Sequence, residues 1–298
     1  MDPPKLDNVV FADAIENYKP QLRDFFSKDS VTFSNYTNVS QGEVGDCWLL
    51  APISALARST RLRKILQNNF VINDRGYTIT VYKDGVKTPI HVNGNLFFIP
   101  RDGDYKADLL FAGQQQFLPE KSLVSANLLW FAFIEKAVAI LYGGYHLLDG
   151  GDPGSVDSKQ ADLGFKILTG LPVTTILIDQ TTDFKGKIKT FLSEGASIVF
   201  TTKANNEVSS DKSMKTEPNG EDNSGLNLLE DHAYVVDSIS RDGSVKLYNP
   251  HGEFARLKQN ISKVLTENDA RFFGKRLDII AVSKGGKTRT RKTRRRHK

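Results

Sequence analysis

The chain has 298 residues, 39% apolar and 25% charged, enough to bury one large core or two modest ones, which excludes a disordered polymer or a small disulfide scaffold. Its formal charge of +5 suggests a nucleic-acid binder, yet nine of the 40 Lys and Arg residues crowd into the acid-free stretch 284–298, KGGKTRTRKTRRRHK. The remainder carries 31 bases against 35 acids, a formal −4, so the body is mildly acidic.

The N-terminal residues lack a basic region followed by an apolar one, and no apolar run approaches the length of a membrane span. An intracellular setting, cytoplasmic or nuclear, is expected, with no transmembrane segment. A weakly amphipathic segment covers Phe11 to Phe26 and a polar stretch continues to Ser40. Gln41 to Thr60, QGEVGDCWLLAPISALARST, reads as a glycine-bearing loop entering a helix near Cys47, where turn formers stop and apolar residues become dense. Pro52 falls just past the first turn, so a local kink is predicted. Phe70 to Pro100 alternates β-branched and aromatic residues around Asp-Arg-Gly and Lys-Asp-Gly, the pattern of hairpin strands. Ala126 to Tyr142 is apolar nearly all round and predicts a buried helix.

From Pro172 onward the pattern turns to strands, VTTILI, SIVFTT, AYVVDSI, SVKLYNP and LDIIAV, with a short helix at Lys185 to Ser193. A helical first part and a β-rich second part, joined near Gly170, are therefore expected. Lys203 to Gly225 is polar, with only Val208 and Met214 as larger apolar residues, and is expected to be a mobile surface loop. Its place just ahead of His232 makes it a candidate lid, with a neutral insertion as the equal alternative.

Cys47 is the one cysteine, which excludes an intramolecular disulfide and all-protein Cys₂His₂ or Cys₄ zinc sites. A thiol attacks carbonyl carbon as thiolate, and a helix N-terminus or a neighbouring imidazolium lowers its pKa. The reading above puts Cys47 at such a terminus. An oxyanion needs donors, and Gln41, six residues upstream with Gly42 and Gly45 to fold the loop back, has a suitable amide. Of the five histidines, His91 lies in a strand, His146 in a glycine-rich turn, His297 in the basic stretch and His251 near the end of a strand. His232 heads a strand whose partner, SVKLYNP, returns through Arg241-Asp242-Gly243-Ser244 toward it. That turn sets Asn249 opposite Val236, so a bulge or longer turn is required for Asn249 to reach His232. An Asn there would hold the ring and its tautomer.

These motifs resemble the calpain family of cysteine proteases. QGEVGDCWLL matches its Q-G-x-x-G-D-C-W-L-L; IEKA, GGY and LDGG resemble its middle helix and glycine turn; HAYVV resembles G-H-A-Y-S-V, and NPHGE resembles N-P-W-G-E. The resemblance runs from about Val31 to Ala281. It implies an α+β, papain-like fold of two subdomains, with Cys47 as nucleophile, His232 as acid and base, Asn249 as orienter and Gln41 in the oxyanion hole. The implied organisation is an N-terminal extension over 1–30, a helical subdomain over 31–169, a β-rich subdomain over 170–283 and a basic, disordered tail over 284–298. The implied reaction is endopeptidase cleavage of protein substrates through a thioester.

Three residues depart from the pattern: His251 stands for tryptophan, Asp231 for glycine before the histidine, and Pro52 for alanine. Conventional calpains are calcium-switched, but no EF-hand loop is present, Asn38 replaces one acidic core ligand and Ala255 another. No cofactor is expected; the resemblance implies calcium control, and these replacements are expected to abolish or weaken it. The rival reading is a catalytically silent binding or scaffolding protein tethered to nucleic acid by the basic tail. A GGKT at Gly285 to Thr288 is no phosphate loop, because Ala281 replaces the first glycine that motif requires. Deleting 284–298 is expected to leave cleavage of a small peptide within about twofold while sharply reducing salt-sensitive binding to polyanions such as heparin or DNA. Loss of cleavage would make the segment part of the fold.

Overall fold

The computed structural model describes residues 21–26, 28, 33, 39–42, 44–100, 107–109, 111–112, 126–150, 160–179, 183–208, 213–214, 224–251 and 262–281. Residues 1–20 of the extension expected over 1–30, and the basic stretch 284–298, lie outside the described residues. The chain is α+β, built around helix α1 (Cys47–Arg58), every residue of which from Trp48 to Ala57 is buried. A helix apolar on all sides needs partners on all sides. Here α3 (Ala126–Tyr142) and α4 (Ala161–Thr169) contact it, as do strands β8 (Ser197–Thr202) and β9 (Ala233–Ile239).

Pro52 does not end α1. It lacks the N–H that would bond the Trp48 carbonyl, and α4 presses Gly164 against that place. A Cβ at 164 would lie 2.3 Å from Trp48 O and 2.8 Å from Pro52 Cγ, so only glycine permits this approach.

Two small antiparallel sheets flank the helices. Strands β2 (Phe70–Ile72), β3 (Gly76–Lys83) and β4 (Val86–Asn93) form one. Its β3–β4 turn has left-handed Asp84 and Gly85, at φ 52° and 75°, the type I′ geometry that suits a two-residue hairpin. Strands β1 (Gln21–Asp24), β5 (Asn95–Pro100) and β6 (Ala107–Leu109) form the other. The amphipathic segment expected around Phe11 to Phe26 thus ends in a strand paired with β5. The first part of the chain is helical only in its interior.

The second part is a six-stranded sheet in the order β11-β10-β9-β8-β12-β7, antiparallel at every pairing, with β7 at Thr174–Leu177, β10 at Val245–Tyr248, β11 at Ser262–Leu265 and β12 at Gly274–Ile280. Alternation along the strands serves two cores. Val199, Ala233, Val235 and Ile280 join the core around α1, whereas Phe200, Tyr234, Val236 and Leu277 face the second core with α5 (Phe184–Ser193) and α6 (Glu267–Phe273). Helices α4 and α6 and strands β6 and β11 have no counterpart in the sequence reading. The signals for α6 were present: Thr266 accepts from Asp269 N at 3.1 Å in a capping box.

The polar stretch 203–225 is anchored where it is described. Met214 is buried in the second core, its backbone N and O bonded to the Asn205 amide at 2.7 and 3.0 Å. One apolar residue is enough to pin a loop when its backbone groups are paired as well. The remaining lid residues, 209–212 and 215–223, lie outside the described set.

Phe200 is fully buried in the second core, edge-on to Phe184 with ring centroids 6.3 Å apart. Phe200→Ala is expected to cost about 3–5 kcal/mol in urea unfolding, the usual range for a buried aromatic. A loss below about 1 kcal/mol would place that core elsewhere.

Candidate active site

Cys47 is the first residue of α1 and keeps partial exposure. Its sulfur faces the backbone N–H groups of Ala233 and Trp48, which favour thiolate, but burial outweighs them and pushes the thiol up to about 12, with the Asp46 charge adding to the rise. The expected lowering by the helix terminus is therefore reversed at rest. Donors at a helix N-terminus act on a thiolate only to the extent that desolvation leaves them a charge to stabilise.

His232 and Asn249 meet as the sequence reading required. Val245 pairs with Ile239 and Lys246 with Ser238, but Leu247 pairs with Val236, so Asp237 is an extra residue in β9. Tyr248 then pairs with Val235, and one more step sets Asn249 across from Tyr234, two residues from His232. That is a diagonal cross-strand relation, within reach of an imidazole. Both residues are buried, and His232 Nε2 lies 2.9 Å from Asn249 Oδ1.

The hydrogen-bond pattern fixes the tautomer. His251 N–H donates to Asn249 Oδ1 at 3.0 Å, so that end of the amide must be the acceptor. An acceptor opposite Nε2 requires Nε2 to carry the proton, leaving Nδ1 as the basic nitrogen of the neutral ring. Among the described residues no hydrogen bond joins Nδ1 to the Cys47 sulfur. The sulfur instead lies against the amide of the residue next to the histidine.

Gln41 is buried against the segment that follows Asn249. Its Nε2 donates to Val44 O at 2.7 Å, which uses one of two amide hydrogens, while Oε1 has no partner among the described residues. Its backbone N–H donates to Pro250 O at 2.9 Å, and Tyr248 Oη donates to Val39 O at 3.2 Å. Two bonds thus fasten the loop of Gln41 to the segment that carries Asn249.

The departures from the family pattern acquire physical meaning. Asp231 has φ 42°, a left-handed conformation that glycine adopts without strain. Its carboxylate is exposed and lies 3.7 Å from Lys275 Nζ, so it points away from the imidazole. His251 packs edge-on to His232 with ring centroids 4.4 Å apart, where tryptophan would stand. Asn38 and Ala255, the substituted calcium positions, lie outside the described residues, as does the whole of 252–261. Among the described residues no group of three or more His, Cys, Asp or Glu could hold a metal ion. His91 bonds near Asn73 in the β3–β4 sheet and His146 sits in the turn Tyr145–Leu148, neither joined to Cys47. An open groove of about 350 Å³ lies at the far end of α1 between Arg58, Leu192 and Val235, away from the thiol.

Two residues that shape the surroundings of the site escaped the sequence reading. Asp237, the bulge residue, accepts from Arg58 at the C-terminal end of α1 and lies 3.2 Å from Lys246 Nζ. Glu135, inside the apolar α3 pattern, is fully buried and faces Asp46. An acid inside an apolar helix was the available signal for Glu135; nothing in the sequence marks the bulge.

Burial lowers His232 to about 4 from an ordinary 6.5, against the opposing hydrogen bond to Asn249. Between those values the unfolded chain takes up a proton that the native ring refuses, so stability falls as pH drops through about 6.5 toward 4 and is indifferent to His232 above that window. The full effect is on the order of 3 kcal/mol. His251, pushed down mainly by burial, adds with the same sign. Urea unfolding at several pH values is expected to show this acid loss, with a shallower slope in His232→Gln; an equal slope would mean the ring is solvated.

The profile described as calpain family cysteine protease matches residues 19–262. Calpain-type cysteine protease DEK1 of Arabidopsis thaliana is 28% identical over 136 residues, 46% of this chain and 6% of the plant protein. DEK1 of Zea mays is 30% identical over 118 residues, and calpain-type cysteine protease ADL1 of Oryza sativa subsp. japonica is 27% identical over 117, each 39% of this chain and 5% of the relative. The alignments thus span only a small fraction of those relatives, but the family match covers most of the present sequence and includes Gln41, Cys47, His232 and Asn249. The chain belongs to the calpain family of cysteine proteases.

Proposed function

We propose that the chain is an endopeptidase that hydrolyses peptide bonds in protein substrates through a thioester, in a papain-like arrangement with Cys47 and His232 on its two halves. The observation that carries this reading is the imidazole tautomer: Asn249 holds the Nε2 proton and leaves Nδ1 basic, while the thiol at the helix N-terminus lies against the amide of the next residue, Ala233. In acylation the thiol proton passes to Nδ1 and sulfur bonds to the scissile carbonyl carbon. The Cys47 N–H and the second Gln41 amide hydrogen donate to the oxyanion. The imidazolium returns its proton to the departing amine as the C–N bond breaks. Water, deprotonated by the same nitrogen, then cleaves the thioester.

The neutral resting pair sets a condition on this scheme. A thiol near 12 and an imidazole near 4 do not exchange a proton spontaneously, so transfer must be coupled to attack or preceded by a shift of the ring toward sulfur. A reaction that accumulates no thiolate protects the thiol from oxidation between turnovers.

An electrophilic probe such as an epoxysuccinyl peptide is expected to label Cys47, and His232→Ala is expected to slow labelling by about 100-fold, the usual worth of a positioned base. Hydrolysis of a protein substrate should accompany labelling and be unchanged by calcium or by a chelator. Equal labelling of both proteins, with no hydrolysis, would favour the silent scaffold; stimulation by calcium would overturn the calcium-independent reading.

A further inference from the structure

The peptidase scheme needs the imidazole of His232 held by Asn249, and what keeps Asn249 in place lies among residues that scheme does not use. Asn249 follows directly on β10, so its position is set by the register of β10 on β9. Beyond Lys246 that register depends on one extra residue, Asp237. If the pairing of Lys246 with Ser238 continued without a bulge, Leu247 would fall across from Asp237, Tyr248 across from Val236 and Asn249 across from Val235. Leu247 is buried in the second core, and residues directly across a ladder share a face, so that register would aim a carboxylate at an apolar interior. The bulge avoids this. Packing of Ile239 against the second core favours the same outcome, but it does not determine where the extra carboxylate goes.

Arg58, the last residue of α1, determines that. Its guanidinium donates to one Asp237 oxygen, and the other oxygen lies 3.2 Å from Lys246 Nζ. The same guanidinium stands over the ring of Tyr248, 5.4 Å from its centroid. Tyr248 pairs with Val235, the last rung before Asn249. One side chain therefore grips both strands at the bulge, through Asp237 on β9 and Tyr248 on β10. The side chains of Arg58 and Asp237 are only 17% and 21% exposed, so their attraction is screened less than that of a surface pair.

We propose that Arg58 and Asp237 are positioning residues for the peptidase reaction: their ion pair fixes the bulge of β9 and the place of Tyr248, and so holds Asn249 on His232 with the proton at Nε2 and the basic nitrogen at Nδ1. The pair touches no substrate and acts through His232 alone. It sits at the opposite end of the twelve-residue α1 from Cys47, about 16 Å away along the helix axis. Loss of the pair therefore impairs the chemical step and leaves substrate binding as it was.

The inference rests on the peptidase reading for its kinetic arm, while nitrogen-15 NMR of the His232 ring gives an arm that needs no turnover. With a protein substrate and the full chain, Arg58→Met and Asp237→Ala are each expected to lower kcat by about tenfold and leave KM within about twofold, because the ring is misplaced and the substrate contacts are not. The double variant is expected to match the singles, and Arg58→Lys to recover most of the rate. In the neutral wild-type ring Nε2 carries the proton, whereas in the two variants both nitrogens are expected to share it and give averaged signals. Variants that unfold at lower urea but keep the wild-type kcat and ring spectrum make the pair merely structural, and additive losses in the double variant make the two residues independent; either result overturns the proposal. Asp237→Asn keeps the side chain's shape and an acceptor for Arg58, which guards against misfolding of the other variants. It is expected to shift the ring signals in the same direction, and a wild-type ring spectrum in it overturns the role given to the charge. A wild type that cleaves nothing overturns the peptidase reading instead, and the ring spectra then decide the positioning role by themselves.

Discussion

The rest of the structure depends on the complete burial of α1. A helix apolar on every side cannot lie on a surface, so helices must cover it from one direction and a sheet from the other. Its two ends then fall on the seam between those layers. The N-terminal end brings Cys47 against the start of β9, where His232 and Ala233 lie. The C-terminal end brings Arg58 onto Asp237, further along the same strand, and over the ring of Tyr248 at 5.4 Å from its centroid. A cation at a helix C-terminus is favoured, and here it is also an anchor.

The same burial determines the protonation of the site. Water is removed from the thiol, the imidazole rings and the Glu135 carboxyl together, and each responds by favouring its neutral form. Cys47 rises, His232 and His251 fall and Glu135 rises, in every case with desolvation as the largest cause. A tryptophan at position 251 would cover the His232–Asn249 bond as an apolar lid. His251 packs against it too, but with a ring that acid can charge, and a second positive charge 4.4 Å from His232 would oppose the imidazolium of the proposed acylation.

Local chemistry made much of this legible in the sequence. The helix at Cys47, the hairpin with Asp84 and Gly85 and the helix from Ala126 to Tyr142 carry strong periodic or turn signals, and they occur where those signals lie. Short elements were harder. Helix α4 has nine residues and takes its definition from packing of Gly164 on α1, a contact between residues more than a hundred positions apart. The dipole of a helix end is visible in a sequence, while the depth at which that end is buried, which raises the thiol, is not. Met214 is a point that composition does not mark: within a polar stretch, its buried side chain and its bonds to the Asn205 amide fix that one position to the core.

The bulge at Asp237 joins these observations. In an unbulged ladder Asn249 would fall across from Val235, whose side chain faces α1, and a one-residue slip reverses the face that every later residue presents. The extra residue moves Asn249 to the face and the distance that His232 needs. An unpaired strand residue is costly to keep, and this one is held by charge on both oxygens, from Arg58 on the helix and Lys246 on the neighbouring strand. The geometry of the imidazole therefore depends on a contact made by the other end of the helix that carries the thiol. A disturbance at Arg58, some three turns from the sulfur, reaches the site through strand register rather than through any group that touches substrate.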